Sequence, residues 1–140
     1  MSGNTFRWEH RISYSQCTVG NHVYHSRYLD ILEAARGEFL HHLGQSFLSW
    51  QERDTIFPVI ECRMRFKGAA RYDDWVTVEL WLTQAEGIRL TFACRLLSRD
   101  GRVLVEAETM HVCTSLHDKP KRLPAELVAT LEPFLAPPAA

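Results

Sequence analysis

Apolar residues recur at three- and four-residue spacing through Tyr28, Ile31, Leu32, Ala35, Phe39, Leu40 and Leu43. This stripe predicts one long amphipathic helix over residues 26–43, with Gly44 as the residue that stops it. Glu33, Arg36, Glu38 and His42 are expected to project from its flanks. Residues 47–54 read as a short connector, after which the period changes from helical to two.

Ile60, Cys62, Met64 and Phe66 alternate with Glu61, Arg63, Arg65 and Lys67, the mark of a half-buried antiparallel strand. Val76, Val78, Leu80 and Leu82 then alternate with Trp75, Thr77, Glu79, Trp81 and Thr83. Beyond a tight turn at Glu86-Gly87, Ile88, Leu90, Phe92, Cys94 and Leu96 make the inner face of a third strand, with Arg89, Thr91 and Arg95 outside. Arg99-Asp100-Gly101 is a hairpin signal, since Asp-Gly readily adopts the left-handed conformations such turns need. The next strand runs from Arg102 toward Thr114, and its alternation slips between Ala107 and Met110, which predicts a bulge there. Residues 6–13 add a fifth strand, Pro124 opens a short terminal helix at its first position, and the closing Pro137-Pro138-Ala-Ala reads as a frayed tail.

Five antiparallel strands and one long helix bury their apolar faces most economically as a curved sheet wrapped around that helix, an α+β fold. At 140 residues, 46% hydrophobic, the chain is one domain with a real core, spanning 1–140. A net charge of -1 gives no bulk attraction to nucleic acid, and no segment has the length of a membrane span. Cys17, Cys62, Cys94 and Cys113 are far apart and form no metal or redox motif, which fits reduced thiols in a cytoplasmic protein. Trp75, Trp81 and Leu97 on strand exteriors point to sheets that meet in a homodimer or homotetramer.

Candidate chemistry concentrates at Tyr14 to His25, a glycine-containing loop that feeds the helix start. Backbone N–H groups at a helix start can hold a developing oxyanion. No carboxylate lies between Tyr14 and Tyr28, so the loop brings no acid or base of that kind.

Loop, helix and sheet together resemble the 4-hydroxybenzoyl-CoA thioesterase branch of the hot-dog-fold superfamily, especially its Tol-Pal-associated acyl-CoA thioesterases. The likeness is carried by Phe6-Arg-Trp8, Val23-Tyr-His25 with Tyr28-Leu29, Glu33-Ala-Ala-Arg36, Ala70-Arg-Tyr-Asp-Asp74, Glu106-Ala-Glu108 and Lys119-Pro-Lys-Arg-Leu-Pro124, in order along nearly the whole chain. It implies a hot-dog fold and hydrolysis of an acyl- or aroyl-thioester to free acid and coenzyme A. In that family the loop reads Asp-x-Asp-x-x-Gly, and the catalytic aspartate falls here at Thr18, the other at Gln16. Loss of a general base costs about 10²–10⁴ in rate, roughly 3–5 kcal/mol.

Glu33 is the leading replacement base, expected to be partly buried with a raised pKa, its alternative role being an ion pair with Arg36. His25 is a second candidate base, Thr18 a hydroxyl that positions water, and the backbone of Tyr24 and His25 the oxyanion-holding pair. His22 is a candidate substrate contact, its alternative a plain loop histidine. For the phosphates of coenzyme A, the cations Arg63, Arg65, Lys67, Arg89 and Arg95 are candidates, and Lys119, Lys121 and Arg122 form the favoured local patch. Packing of Phe47, Trp50, Phe57 and Met64 would set pocket depth. No metal or cofactor is implied, coenzyme A being part of the substrate, and the thiol carrier is either coenzyme A or acyl carrier protein. Two alternatives stand beside the enzyme: a catalytically weak or inactive acyl-CoA-binding protein on the same scaffold, and a 3-hydroxyacyl-thioester dehydratase pairing His25 with Glu33.

Overall fold

The computed structural model describes residues 3–136, and the tail expected to fray at 137–140 lies outside the described residues. Strands β1 (Phe6–Arg11), β2 (Val59–Phe66), β3 (Trp75–Glu86), β4 (Arg89–Leu97) and β5 (Val103–Val112) form one antiparallel sheet in the order β1-β3-β4-β5-β2. The long helix α1 (Arg27–His42) lies across its concave face, and α2 (Phe47–Gln51) and α3 (Ala125–Leu131) close the far end.

The predicted helix therefore forms, and it ends where Gly44 takes φ 74°, a conformation that costs a glycine little. Its buried stripe of Tyr28, Ile31, Leu32, Ala35, Phe39 and Leu40 meets Val76, Val78, Leu80, Leu82, Phe92 and Leu96 from the sheet. Phe39 sits at the centre, its ring 5.2 Å from Phe6, 6.3 Å from Phe92 and 4.8 Å from Phe134. Truncating such a side chain to alanine costs about 3–5 kcal/mol in transfer and cavity terms.

Four sequence expectations need correction. The connector after Gly44 contains a helical turn, α2, because Ser46 Oγ accepts the Ser49 N–H at 3.1 Å and caps it. Pro124 is the N-cap of α3 and not its first helical residue. The bulge predicted between Ala107 and Met110 is absent, since β5 pairs with β4 continuously from Val105 to Val112. Register shifts fall instead between Val59 and Glu61 on β2, between Leu82 and Gln84 on β3, and nearer the start of β5, where Leu96 and Leu97 of β4 pair with Val105 and Val103. The slip in hydrophobic alternation has another cause: Ala107, Thr109 and His111 all face the core, two of them polar. Finally, Arg36 does not project from the helix flank but is buried, at 6% exposure.

The convex face carries a charge row across all five strands. Arg7 stands opposite Glu79, Glu79 opposite Arg95, Arg95 opposite Glu106, and Glu106 opposite Arg65, so the signs alternate from one edge to the other. Glu79 is buried between Arg7 Nη2 at 2.7 Å and Arg95 Nη2 at 3.0 Å. The exterior tryptophans are half-covered by their own arginines, Arg11 over Trp75 at 4.7 Å and Arg95 over Trp81 at 5.0 Å. The apolar surface left open lies on the edge strand β2, which is not half-buried as its alternation predicts: with no strand beyond it, Ile60 is 51% and Phe66 50% exposed, and Cys62 is exposed too.

Candidate active site

Helix α1 starts against the loop 14–25, and the segment 70–74 fastens the two together. Ala70 O accepts the Val23 N–H at 3.0 Å while Ala70 N–H donates to the buried Tyr28 hydroxyl at 3.0 Å. Burial pushes the Tyr28 phenol above its usual pKa, so it stays a neutral anchor. Tyr72 N–H donates to Asn21 Oδ1 at 3.1 Å, and Arg71 Nη2 lies 3.2 Å from His22 Nε2. Asp74 Oδ2 accepts the Arg71 N–H at 2.9 Å, holding that clamp in shape. The loop itself turns between Cys17 and Val23, with Thr18 N–H donating to His22 O at 2.8 Å and Asn21 N–H to Thr18 O at 3.0 Å. Gly20 at φ 86° and Asn21 at φ 63° occupy the left-handed region this reversal demands.

Of the residues singled out for catalysis, Tyr24 and His25 stand at the helix start and Thr18 in the turn of the loop, and all three are exposed. Tyr24 N–H donates to Gln16 O at 2.9 Å and is therefore not available to an oxyanion, which corrects the expected Tyr24–His25 pair. Among the described residues the N–H groups of His25, Ser26 and Tyr28 have no backbone acceptor, and His25 and Ser26 are the exposed ones among them. Ser26 caps α1 without a side-chain hydrogen bond, leaving the positive end of the helix open to a ligand. The Tyr24 ring lies 4.4 Å from the His25 imidazole.

Glu33 lies exposed on α1, six residues after the helix begins, and not partly buried as expected. No ion pair joins it to Arg36 among the described residues. His22 keeps the Arg71 contact as its partner.

The cationic patch is only partly free. Lys121 Nζ donates to Asp54 O at 3.1 Å and to Thr55 Oγ1 at 3.2 Å, which makes it a strap across the chain. Lys119 and Arg122 stay exposed. Of the strand cations, Lys67 pairs with Glu106 at 2.7 Å, Arg63 with Glu61 at 2.9 Å and Arg95 with Glu79. Trp50 is fully buried and Phe57 nearly so, whereas Met64 is half-buried and packs against the core from β2, opposite Ala107.

The sequence reading passed over a polar cluster on the concave face. His111 Nδ1 donates to Phe57 O at 2.8 Å, so its Nε2 accepts the Thr109 hydroxyl at 2.9 Å. Burial, aided by the Arg36 charge, holds the imidazole pKa down at about 4 and keeps it neutral. The broken alternation at Thr109 and His111 was the available signal.

A five-stranded antiparallel sheet cradling one long helix, with free N–H groups at the helix start, defines a hot-dog thioesterase scaffold. A profile of the thioesterase-like superfamily matches residues 12–131. The chain is 33% identical over 132 residues to the acyl-CoA thioester hydrolase YbgC of Escherichia coli O6:H1, covering 92% of this chain and 97% of that protein. It is 32% identical over 133 residues to the acyl-CoA thioesterase YbgC of Haemophilus influenzae, covering 92% and 96%. The crystal structure of a 1,4-dihydroxy-2-naphthoyl-CoA thioesterase from Synechocystis superposes with a TM-score of 0.85 at 23% identity, over 91% of this chain and 96% of that one. The chain belongs to the thioesterase-like superfamily.

Proposed function

We propose that the protein is a cytoplasmic acyl-CoA thioesterase that hydrolyses an acyl- or aroyl-thioester with water. The free His25 and Ser26 N–H groups at the start of α1 carry this reading, together with relatives named as acyl-CoA thioester hydrolases. A thioester carbonyl seated there meets the positive end of the helix as its oxygen gains charge. Glu33 takes the proton of the attacking water, with His25 as the second base and Thr18 positioning that water. The C–S bond then breaks, and the thiolate of coenzyme A takes a proton from solvent or from the base.

The site is completed by a second copy of the chain. Within one subunit the helix start lies at the end of β2, where the Tyr28 ring meets the Phe66 ring at 5.6 Å, tilted by 49°, whereas the cationic loop 113–122 joins the chain just before β2, through Ile56 and Thr114. The eight residues of β2 separate the two by about 25 Å. Antiparallel pairing of β2 with its twofold mate brings the start of one strand beside the end of the other, and so sets Lys119 and Arg122 of one copy near the loop of its neighbour. The same pairing covers the open edge and its exposed Ile60 and Phe66. The convex face then remains available for a tetramer, and either coenzyme A or acyl carrier protein fits as thiol carrier. A structure of a Staphylococcus aureus protein with the same fold, solved in complex with CoA, agrees with a CoA-accommodating scaffold at 17% identity and TM-score 0.86.

Two observations favour a weak or inactive thioester-binding protein: no carboxylate stands in the loop, and Glu33 is exposed. Free-thiol release from short, long and aromatic acyl-CoA esters tests both readings, with the parent compared to Thr18→Asp. Turnover by the parent supports the enzyme. An inert parent that binds the esters and gains turnover on Thr18→Asp assigns the chain to binding.

A further inference from the structure

Arg36 is a buried cation without a buried anion. It projects from α1 into the space beneath β2, β4 and β5, is 6% exposed, and its Nη1 has no hydrogen-bond partner. Among the described residues it forms no ion pair. Its charge is felt at Cys62 on β2, Cys94 on β4, His111 on β5 and Glu33 on its own helix. Burial holds the Cys94 thiol protonated, partial desolvation raises the Cys62 thiol above its usual range, and His111 has both ring nitrogens engaged, so none of these supplies a counter-charge in contact. A guanidinium nitrogen removed from water and left unpaired is costly in a core.

Its surroundings are open on one side. Cys62, on the inner face of β2 and within reach of the Arg36 charge, is exposed in the single subunit, so the β2 side of Arg36 is the side nearest solvent. His25 and Arg36 are separated by about 16 Å of helix axis, and an arginine side chain leans back toward the helix start. An acyl group whose carbonyl sits at His25 thus meets the guanidinium about 10 Å along its length.

We infer that Arg36 is a specificity-determining residue that receives a carboxylate at the far end of the acyl group, so that the preferred substrates are half-thioesters of dicarboxylic acids of about six to eight carbons. This rests on the acyl-CoA thioesterase reading. The carboxylate pairs with the fork of N–H donors, supplies the missing charge, and leaves the reacting thioester at the helix start untouched. A neutral chain of equal length leaves the cation unpaired in a site it has just dried.

The test compares adipoyl-CoA with hexanoyl-CoA on the parent, Arg36→Met and Arg36→Lys, with melting temperatures recorded. The expected result is at least a tenfold higher kcat/KM for adipoyl-CoA in the parent. Arg36→Met should lose that preference through the adipoyl arm alone, at an equal or higher melting temperature, and Arg36→Lys should keep part of it. A parent that treats the two esters alike, or prefers the neutral one, overturns the inference. So does an Arg36→Met protein that melts lower and loses both activities equally, which would assign the guanidinium to structure or to a carboxylate of the second copy. If Arg36→Met does not fold, the parent's ratio decides alone. If the parent hydrolyses neither ester, the thioesterase reading fails separately, and equilibrium binding of the same two esters decides for Arg36: tighter adipoyl-CoA supports the role, and equal affinity removes it.

Discussion

Glu79 and Arg36 are both buried charges, one on the convex face of the sheet and one on the concave, and the chain treats them oppositely. Glu79 is bracketed by Arg7 at 2.7 Å and Arg95 at 3.0 Å from the flanking strands, in a charge row fixed by strand register. Arg36 has a desolvated Nη1 with nothing to bond. A charge whose partners are supplied by the fold serves the fold. A charge whose partner is withheld is positioned for something that arrives, and it sits on the face that also holds the helix start.

The comparison breaks first at the paired site. Replacing Arg7 and Arg95 together by methionine strands the Glu79 carboxylate, and urea unfolding should show a loss of about 3–5 kcal/mol. A loss under about 1 kcal/mol would mean that the row is ornament. Acid sharpens the contrast on the other face. Because the folded pKa of His111 is about 4, below the ordinary 6.5, the unfolded chain binds more protons between those values. Stability is therefore held above pH 6.5 and lost as pH falls toward 4, by about 2 kcal/mol between pH 7 and pH 5. His111→Gln should flatten that slope in urea titrations run at both pH values.

Arg36→Met, by contrast, should leave the protein as stable as the parent or raise it by about 1–2 kcal/mol, since it removes a desolvated charge that has no partner. It should also ease the acid slope, because the Arg36 charge helps depress His111. The smallest effect is expected at Lys121→Met, which removes the Nζ bonds to Asp54 O and Thr55 Oγ1 and should cost about 1 kcal/mol without changing turnover.

The fold was readable because its signals are periodic. The three-and-four stripe of α1, the alternation in β3 and Gly44 each encode one local geometry and appear where expected, whereas β2 forms at its alternating segment with its expected inner face exposed, and Thr91 of β4, expected outside, is buried. The sequence was silent where a residue's meaning depends on what faces it across the structure. Arg36 occupies a position that the helix stripe marks as a flank, yet the sheet curls over it. Thr109 and His111 interrupt the apolar alternation of β5 and looked like a bulge, when they are polar residues satisfying each other inside. At the site, the loop and the helix start were legible from their resemblance and order. The Tyr24 N–H was not, because its use by Gln16 O depends on how the loop folds back. Lys121 read as part of a cationic patch for the same reason: its strap to Asp54 joins segments far apart in the chain.

The central claim is that a helix glutamate does the work of an absent loop carboxylate, and the most direct measurement is kcat of Glu33→Gln against the parent on the parent's best acyl-CoA ester. With the fold verified by an unchanged melting temperature, the expected result is a fall of at least about 10² with little change in KM, as for loss of a general base. Retention of parental kcat by Glu33→Gln would contradict the claim and move the base to His25 or to solvent.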